Sequence, residues 1–395
     1  MALIKCSECN KEISSSAKVC PHCGYKNDNK TCPECGAVVK SSDNACPECG
    51  FPLQKRNAQN IINENLDKIT GAKSENYVTF KDLFKDTFKK HSEEELDNVF
   101  VCGSSSTTPD VKNINPKNAS AWVYFKILIF FIIAYIPTRI GYINYGNLNF
   151  LPAMIMLGAF AIPVTILIFF YEINLFRNIP FYKVIKYFIL GGALSLILAI
   201  LFFSLDLNTD ISTYSGALMV GLIEEAAKAA IVAFFLFKSK NSNYILNGLL
   251  IGAAVGAGFA AFETAGYILR YGLAAGDAAM LQTIKIRGFL APGGHVAWAA
   301  IEGAALMYVK GFEKLDKKHL NDKRFLLICL ISVVEHGIWD MPIEVPYYLV
   351  PIGLTIAAWL VIIYFINLGL KQVDDAKELA NQEKSNLKLK KGEAK

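Results

Sequence analysis

From Trp122 to about Leu370 the chain is a succession of apolar blocks separated by short charged breaks, each close to the roughly 20 residues a helix needs to cross a bilayer. Within lipid every backbone polar group must find its partner inside the structure, so only helices and closed barrels can span. Blocks of this length exclude a barrel, whose strands are half as long and alternate in polarity. Eight spans are predicted, at about 122–139, 151–171, 184–204, 216–237, 244–270, 288–309, 324–341 and 347–370. The fold class is therefore an all-α polytopic membrane protein, and a hydrophobic content of 53% excludes an ordinary soluble enzyme or a disordered tail.

The first 120 residues are of another kind. Eight of the ten cysteines fall in four Cys-x-x-Cys knuckles: Cys6/Cys9, Cys20/Cys23, Cys32/Cys35 and Cys46/Cys49. Cys6 to Cys32 and Cys20 to Cys46 share one spacing, the mark of an internal duplication. Four thiolates per unit fill a tetrahedral Zn²⁺ shell, so residues 1–50 read as two small structural zinc-ribbon units of four cysteines each. Paired knuckles are poorly placed for long-range disulfides, and His22, between two ligands, is a bystander. Units this small cannot bury a core, so metal must supply most of their folding free energy. Docking of a cytosolic protein partner is the expected role.

Residues 51–120 read as a polar linker with amphipathic helices. Phe80, Leu83, Phe84 and Phe88 share a helical face, suited to a packed pair or to the membrane surface, and Ser92 with Glu95 has capping-box spacing. Residues 121–370 form the transmembrane domain and 371–395 a charged, mobile cytosolic tail. The start, Met1 to Asn10, lacks an apolar stretch of the signal-peptide kind.

Charge sets the orientation. With the N-terminus inside, the inner loops collect most of the Lys and Arg, Lys238 and Lys240 among them, and the outer loops hold only Arg139, Arg270, Lys285 and Arg287. Both termini are thus expected in the cytosol, in agreement with reduced thiolates at the front. A net charge of +5, drawn from loops and tail, suits membrane topology rather than nucleic acid.

Several spans carry charges that lipid would reject. Glu224, Glu225 and Lys228 would together cost roughly 8 to 10 kcal/mol at about 2.5 to 3.5 kcal/mol each, so they must face protein or water. Glu224 and Lys228 have the spacing of a favourable i,i+4 pair, which leaves Glu225 over. The next spans add Glu263 and Tyr267, then His295 and Glu302, then Glu335, His336 and Asp340. At about 1.5 Å per residue, Glu224, Glu263, His295 and His336 share one level, roughly 9 to 14 Å below the outer surface. Gly248, Gly252 and Gly256 form a ridge that lets a neighbouring helix approach, and Ala-Pro-Gly-Gly before His295 marks a wet break. Carboxylates and imidazoles at one hydrated level suit hydrolysis: one takes a proton from water, another stabilises the oxyanion or protonates the leaving amine.

The residues EEAAK at 224–228, FETAGY at 262–267, the lone His295 and HGIWD at 336–340 resemble, in order and spacing, the motifs of the PrsW family of intramembrane proteases. The resemblance implies kinship with the wider CAAX-protease and bacteriocin-immunity group and an integral protein of a bacterial cytoplasmic membrane. It further implies cleavage of a single-span, anti-sigma-factor-like substrate near the extracytoplasmic face. Glu224, Glu225, Lys228, Glu263, Tyr267, His295, His336 and Asp340 are then the catalytic set. Two chemistries are open. Either Glu224 or Glu225 activates water while His295, His336 and Tyr267 hold the oxyanion, or Glu263, His295 and His336 bind a catalytic Zn²⁺ with Glu225 as base. Two other classes share these features: an ion-coupled transporter, against which no inverted repeat is found, and a zinc-ribbon membrane sensor without catalysis.

Overall fold

The computed structural model describes residues 3–392 apart from 7, 10, 15, 16, 18, 26–28, 41–44, 52–57, 206, 240, 241, 344 and 345. Lys240 and the last tail lysine, Lys395, lie outside the described residues. The chain divides into two compact units, Met1–Ile62 and Asn63–Lys395.

In the first unit β1 (Leu3–Lys5) pairs antiparallel with β2 (Glu12–Ser14), Ile4 opposite Ile13, and β3 (Asn29–Thr31) pairs with β4 (Val38–Lys40), Lys30 opposite Val39. The second hairpin repeats the first, and each core is two cysteines around one aliphatic residue: Cys6, Ile13 and Cys20, then Cys32, Val39 and Cys46. At every knuckle the first cysteine's N–H donates to a carbonyl five residues on, as Cys20 does to Tyr25 and Cys46 to Phe51. Gly24, Gly36 and Gly50 close the last three knuckles at positive φ, where a side chain would be strained.

The segment expected to be a linker is folded onto the second unit from residue 63 onward. Tyr364 donates to Asp67 at the end of α1 (Ala58–Thr70), and Asn367 accepts from the backbone of Tyr77 and Val78. α2 (Phe80–Leu83) is a single turn, shorter than the periodicity predicts. Leu83 is buried, Phe84 stacks on Phe169, and Phe88 is 86% exposed. α3 (Glu93–Phe100) opens with the expected Ser92–Glu95 capping box.

The apolar blocks form α4 (Val123–Ile143), α5 (Leu151–Ile173), α6 (Phe181–Lys186) running through a π turn into α7 (Gly192–Phe203), and α8 (Tyr214–Lys238). They continue in α9 (Ile245–Leu290), α10 (His295–Lys310), α11 (Lys323–Asp340) and α12 (Leu349–Gly392). Five helical stretches among the described residues are long and apolar enough to cross a membrane: Pro116–Ile143, Leu148–Ile173, Phe181–Phe203, Ile245–Lys310 and Leu349–Gln382. α8 and α11 carry too many charges to qualify by composition, so the structure does not establish the count of eight. Residues 371–392 of the charged tail are helical, continuous with α12.

α9 departs most from expectation. Residues 271–287, assigned above to an outer loop, are helical, but at Gly276 the backbone takes φ 81° and the chain reverses. Met280 returns to pack beside Gly272, and Ile284 meets Gly158 of α5. This re-entrant arm, residues 277–290, runs down to the 3-10 turn Ala291–Gly293 that precedes α10. The glycine ridge faces α10: a methyl on Gly248, Gly252 or Gly256 would overlap the carbonyl of Gly303, Ala299 or His295. α8 crosses α11 as closely, where Gly221 lies against the Gly337 backbone.

Candidate active site

The two close crossings fix the site, since Gly256 seats His295 against α9 and Gly221 brings α8 to His336. Lys228 is the central cation, 0% exposed. Its Nζ lies 2.7 Å from Glu225 and 3.8 Å from Glu224, so the close partner is i,i+3 and the i,i+4 pairing expected from the sequence is the looser one. The ammonium donates to His295 Nδ1 at 2.8 Å and sits 4.3 Å from the centre of the Phe259 ring.

Each imidazole has a carboxylate on one nitrogen. Glu263 lies 3.0 Å from His295 Nε2, and Glu225 lies 2.5 Å from His336 Nδ1. Their other nitrogens face Glu224 Oε2, at 4.0 Å from His295 and 3.7 Å from His336, and Asp340 is 3.3 Å from His336 Nε2. Trp298 stacks on His336 at 4.6 Å and donates from Nε1 to Glu335. Glu224, Glu263, Tyr267, His295, His336 and Asp340 all line a cavity of about 420 Å³, together with Phe203, Val220, Leu290 and Trp339. Glu225 and Lys228 lie behind that lining, which withdraws Glu225 from the role of base in contact with substrate. Glu302 is buried away from the cavity with neither carboxylate oxygen hydrogen-bonded.

One lining residue was misassigned from sequence. Arg287, counted as an outer-loop charge, sits on the re-entrant arm, pairs with Glu263 and donates from Nε to Thr264 at 2.9 Å. Its guanidinium also lies over the Tyr267 ring. The aliphatic residues around it, Ile284, Ile286 and Leu290, were the available sign that this segment is not a solvated loop.

The groups that could hold a metal correct the sequence reading. Donor atoms of Glu224, His295 and His336 lie within 4.8 Å of one another, whereas Glu263 reaches His295 only from the far side of its ring. Glu224 Oε2 is buried without a hydrogen bond. Donors about 2.0–2.1 Å from a tetrahedral ion would stand about 3.4 Å apart, so a set with gaps of 3.7 and 4.0 Å, all within 4.8 Å, would close around such an ion once Lys228 gave up its contact with His295 Nδ1. At the ribbons, Cys6, Cys9, Cys20 and Cys23 form one four-thiol set and Cys32, Cys35, Cys46 and Cys49 the other. Sulfur contacts there are 3.5–3.7 Å, and no described cysteine is in a disulfide. Backbone N–H groups of Cys9 and Glu8 draw the Cys6 thiol down to about 7, toward the thiolate a metal needs.

Residues 179–368 match the family described as PrsW family intramembrane metalloprotease, and residues 6–50 match the double zinc ribbon. Residues 179–368, just under half of the chain, are thus a region of the PrsW intramembrane-protease type. Protease PrsW of Clostridioides difficile is 27% identical over 194 residues, which cover 48% of this chain and 78% of the relative. Those of Halalkalibacterium halodurans and Shouchella clausii are 25% and 26% identical, over 47% of this chain and 81% of each relative. No solved structure matches. The chain is thus a membrane-embedded PrsW-type protease that carries a double zinc ribbon.

Proposed function

We propose that this PrsW-type chain hydrolyses a peptide bond of a single-span membrane protein, such as an anti-sigma factor, in the cavity between α8, α9, α10 and α11. Glu224, His295 and His336 would hold a divalent metal such as zinc. The observation that carries this reading is the backing of both imidazoles: each has a carboxylate on one nitrogen, as metal-binding histidines usually do, and its other nitrogen within 4.0 Å of the orphaned Glu224 oxygen, beside Lys228 at His295 and Asp340 at His336. Formal charge supports it. Four carboxylates surround the imidazoles, from Glu224, Glu225, Glu263 and Asp340, against the two cations Lys228 and Arg287, which leaves two negative charges for a divalent ion to balance.

When bound, the metal supplies Lewis-acid polarisation and an acidified water. The chain's own residues do the rest. Glu263 and Glu225 fix the imidazoles, and Lys228 neutralises the buried Glu225. Asp340, at the cavity and 3.3 Å from His336 Nε2, takes the proton of the attacking water and returns it to the leaving amine. Tyr267 offers its hydroxyl to the carbonyl oxygen, and Phe203, Val220 and Leu290 seat apolar substrate side chains. The termini lie in the cytosol, cleavage occurs toward the outer face, and the ribbons hold two structural zinc ions and dock a cytosolic partner.

One observation favours a metal-free variant: Lys228 already donates to His295 Nδ1. In that version Glu224 itself is the base, and the two imidazoles hold the oxyanion.

The test is cleavage of a single-span substrate in proteoliposomes, with zinc counted per chain. The metal reading expects three zinc ions in the wild type and two in Glu224→Gln and His336→Ala, with cleavage reduced at least ~100-fold. Two zinc ions in an active wild type select the metal-free variant. Undiminished cleavage by both variants, or proton flux that Glu224→Gln abolishes in a protein that cleaves nothing, overturns the protease site.

A further inference from the structure

We infer that Arg287 is a positioning residue of the hydrolytic site, brought there by the re-entrant arm, and that it holds His295 in register through Glu263. The inference rests on the active-site reading of His295 and adds a device that none of the four motifs contains.

The geometry is a relay through one atom. Glu263 Oε2 receives both the Arg287 guanidinium and His295 Nε2. A carboxylate on a flexible stem can present its oxygens in many directions, and a second contact on the same oxygen restricts them. Arg287 is itself held on two further sides, by Thr264 Oγ1 at 2.9 Å and by the face of Tyr267 at 4.4 Å from its ring centre. A planar guanidinium suits such a three-way hold better than a lysine ammonium.

The arm explains how an arginine 24 residues beyond Glu263 reaches it. Continued as a straight helix, that separation would span about 36 Å. Reversal at Gly276 brings the arm back, Met280 and Ile284 pack with Met154, Ala159 and Ile268, and Tyr142 donates to Asp277 at 2.7 Å near the turn. The arm is therefore anchored independently of the arginine, with Ile286, Arg287 and Leu290 forming one wall of the cavity. Charge gives a second reason. Without Arg287 the four carboxylates around the imidazoles outnumber the cations by three rather than two, and Glu263 is drawn toward Lys228 and away from His295.

The experiment compares Arg287→Gln, Arg287→Lys and, as a packing control, Met280→Ala in the full chain. Arg287→Gln is expected to lower kcat by about 10- to 100-fold with KM within about twofold. Loss of the third zinc ion to a chelator should accelerate by a similar factor. Arg287→Lys should recover part of both losses. Met280→Ala should lower the melting temperature with kcat and chelator resistance unchanged. Wild-type kcat and metal retention in Arg287→Gln overturns the inference. So does a change confined to KM, which marks a substrate contact, or equal effects in Arg287→Gln and Met280→Ala, which mark a purely structural arm. Failure of the underlying reading looks different: His336→Ala would then cleave normally. A wild type with two zinc ions leaves kcat and the lysine rescue as deciding readouts.

Discussion

At the scale of single residues the site is dominated by Lys228, a fully buried ammonium with two glutamates one turn away on its own helix. Burying an ion is costly, and mutual attraction offsets that cost only while every partner is present. Lys228→Met is therefore expected to lose about 3–5 kcal/mol of stability, because the fully buried Glu225 loses its close cation and keeps only its contact with His336 Nδ1. The double change Glu225→Gln with Lys228→Met should regain more than half of that loss. Reversible denaturation in detergent micelles checks both, and equal stability of the single and double variants would contradict the pairing. The ionisable groups of this cluster were legible in the sequence, since charges inside apolar blocks stand out against their cost. Their partnerships were not. Whether Lys228 sides with Glu224 or Glu225 depends on where His295 and Phe259 stand, and those belong to other helices.

At the scale of elements, position is decided by backbone contact at glycines. Gly256 lets α9 touch α10 at the His295 carbonyl, so Gly256→Ala forces the first turn of α10 outward and moves the imidazole relative to Glu263. Gly266, ten residues along the same helix, faces open space. Ala there is expected to be neutral or to stabilise by up to about 1 kcal/mol through helix propensity. Gly256→Ala should cost about 1–3 kcal/mol, as overpacking does, and reduce cleavage at least tenfold, read by parallel melting and activity measurements. The ridge was readable as a Gly-x-x-x-Gly repeat, although its partner was not. The re-entrant arm escaped altogether. Its sequence, Asp277 to Leu290, mixes charges with aliphatics as an amphipathic surface helix does, and local pattern does not reveal that Gly276 turns it back against α5.

For the whole molecule, two units of unlike energetics share one chain. The membrane unit has an extensive buried core, in which the first part of α9, residues 245–261, and most of α10 are buried. Each ribbon core has one aliphatic side chain beside its cysteines, Ile13 or Val39, far too little to offset chain entropy. The four-cysteine sets must therefore carry the ribbons' stability through bound metal, at apparent values on the order of 10–16 kcal/mol per site for structural zinc at neutral pH. A strong chelator should unfold the ribbons while the membrane unit stays folded, its melting temperature falling only by what the loss of one bound ion costs. Limited proteolysis then gains cuts between residues 3 and 51, and the fragment from residue 63 onward stays intact. Cys20→Ser with Cys46→Ser should reproduce that pattern without chelator. Activity separates the sites further: ribbon zinc lost with cleavage intact makes the ribbons a docking device, whereas cleavage lost by chelation in the Cys20→Ser, Cys46→Ser variant assigns the remaining metal to Glu224, His295 and His336. A membrane unit that melts together with the ribbons would contradict the division into two units.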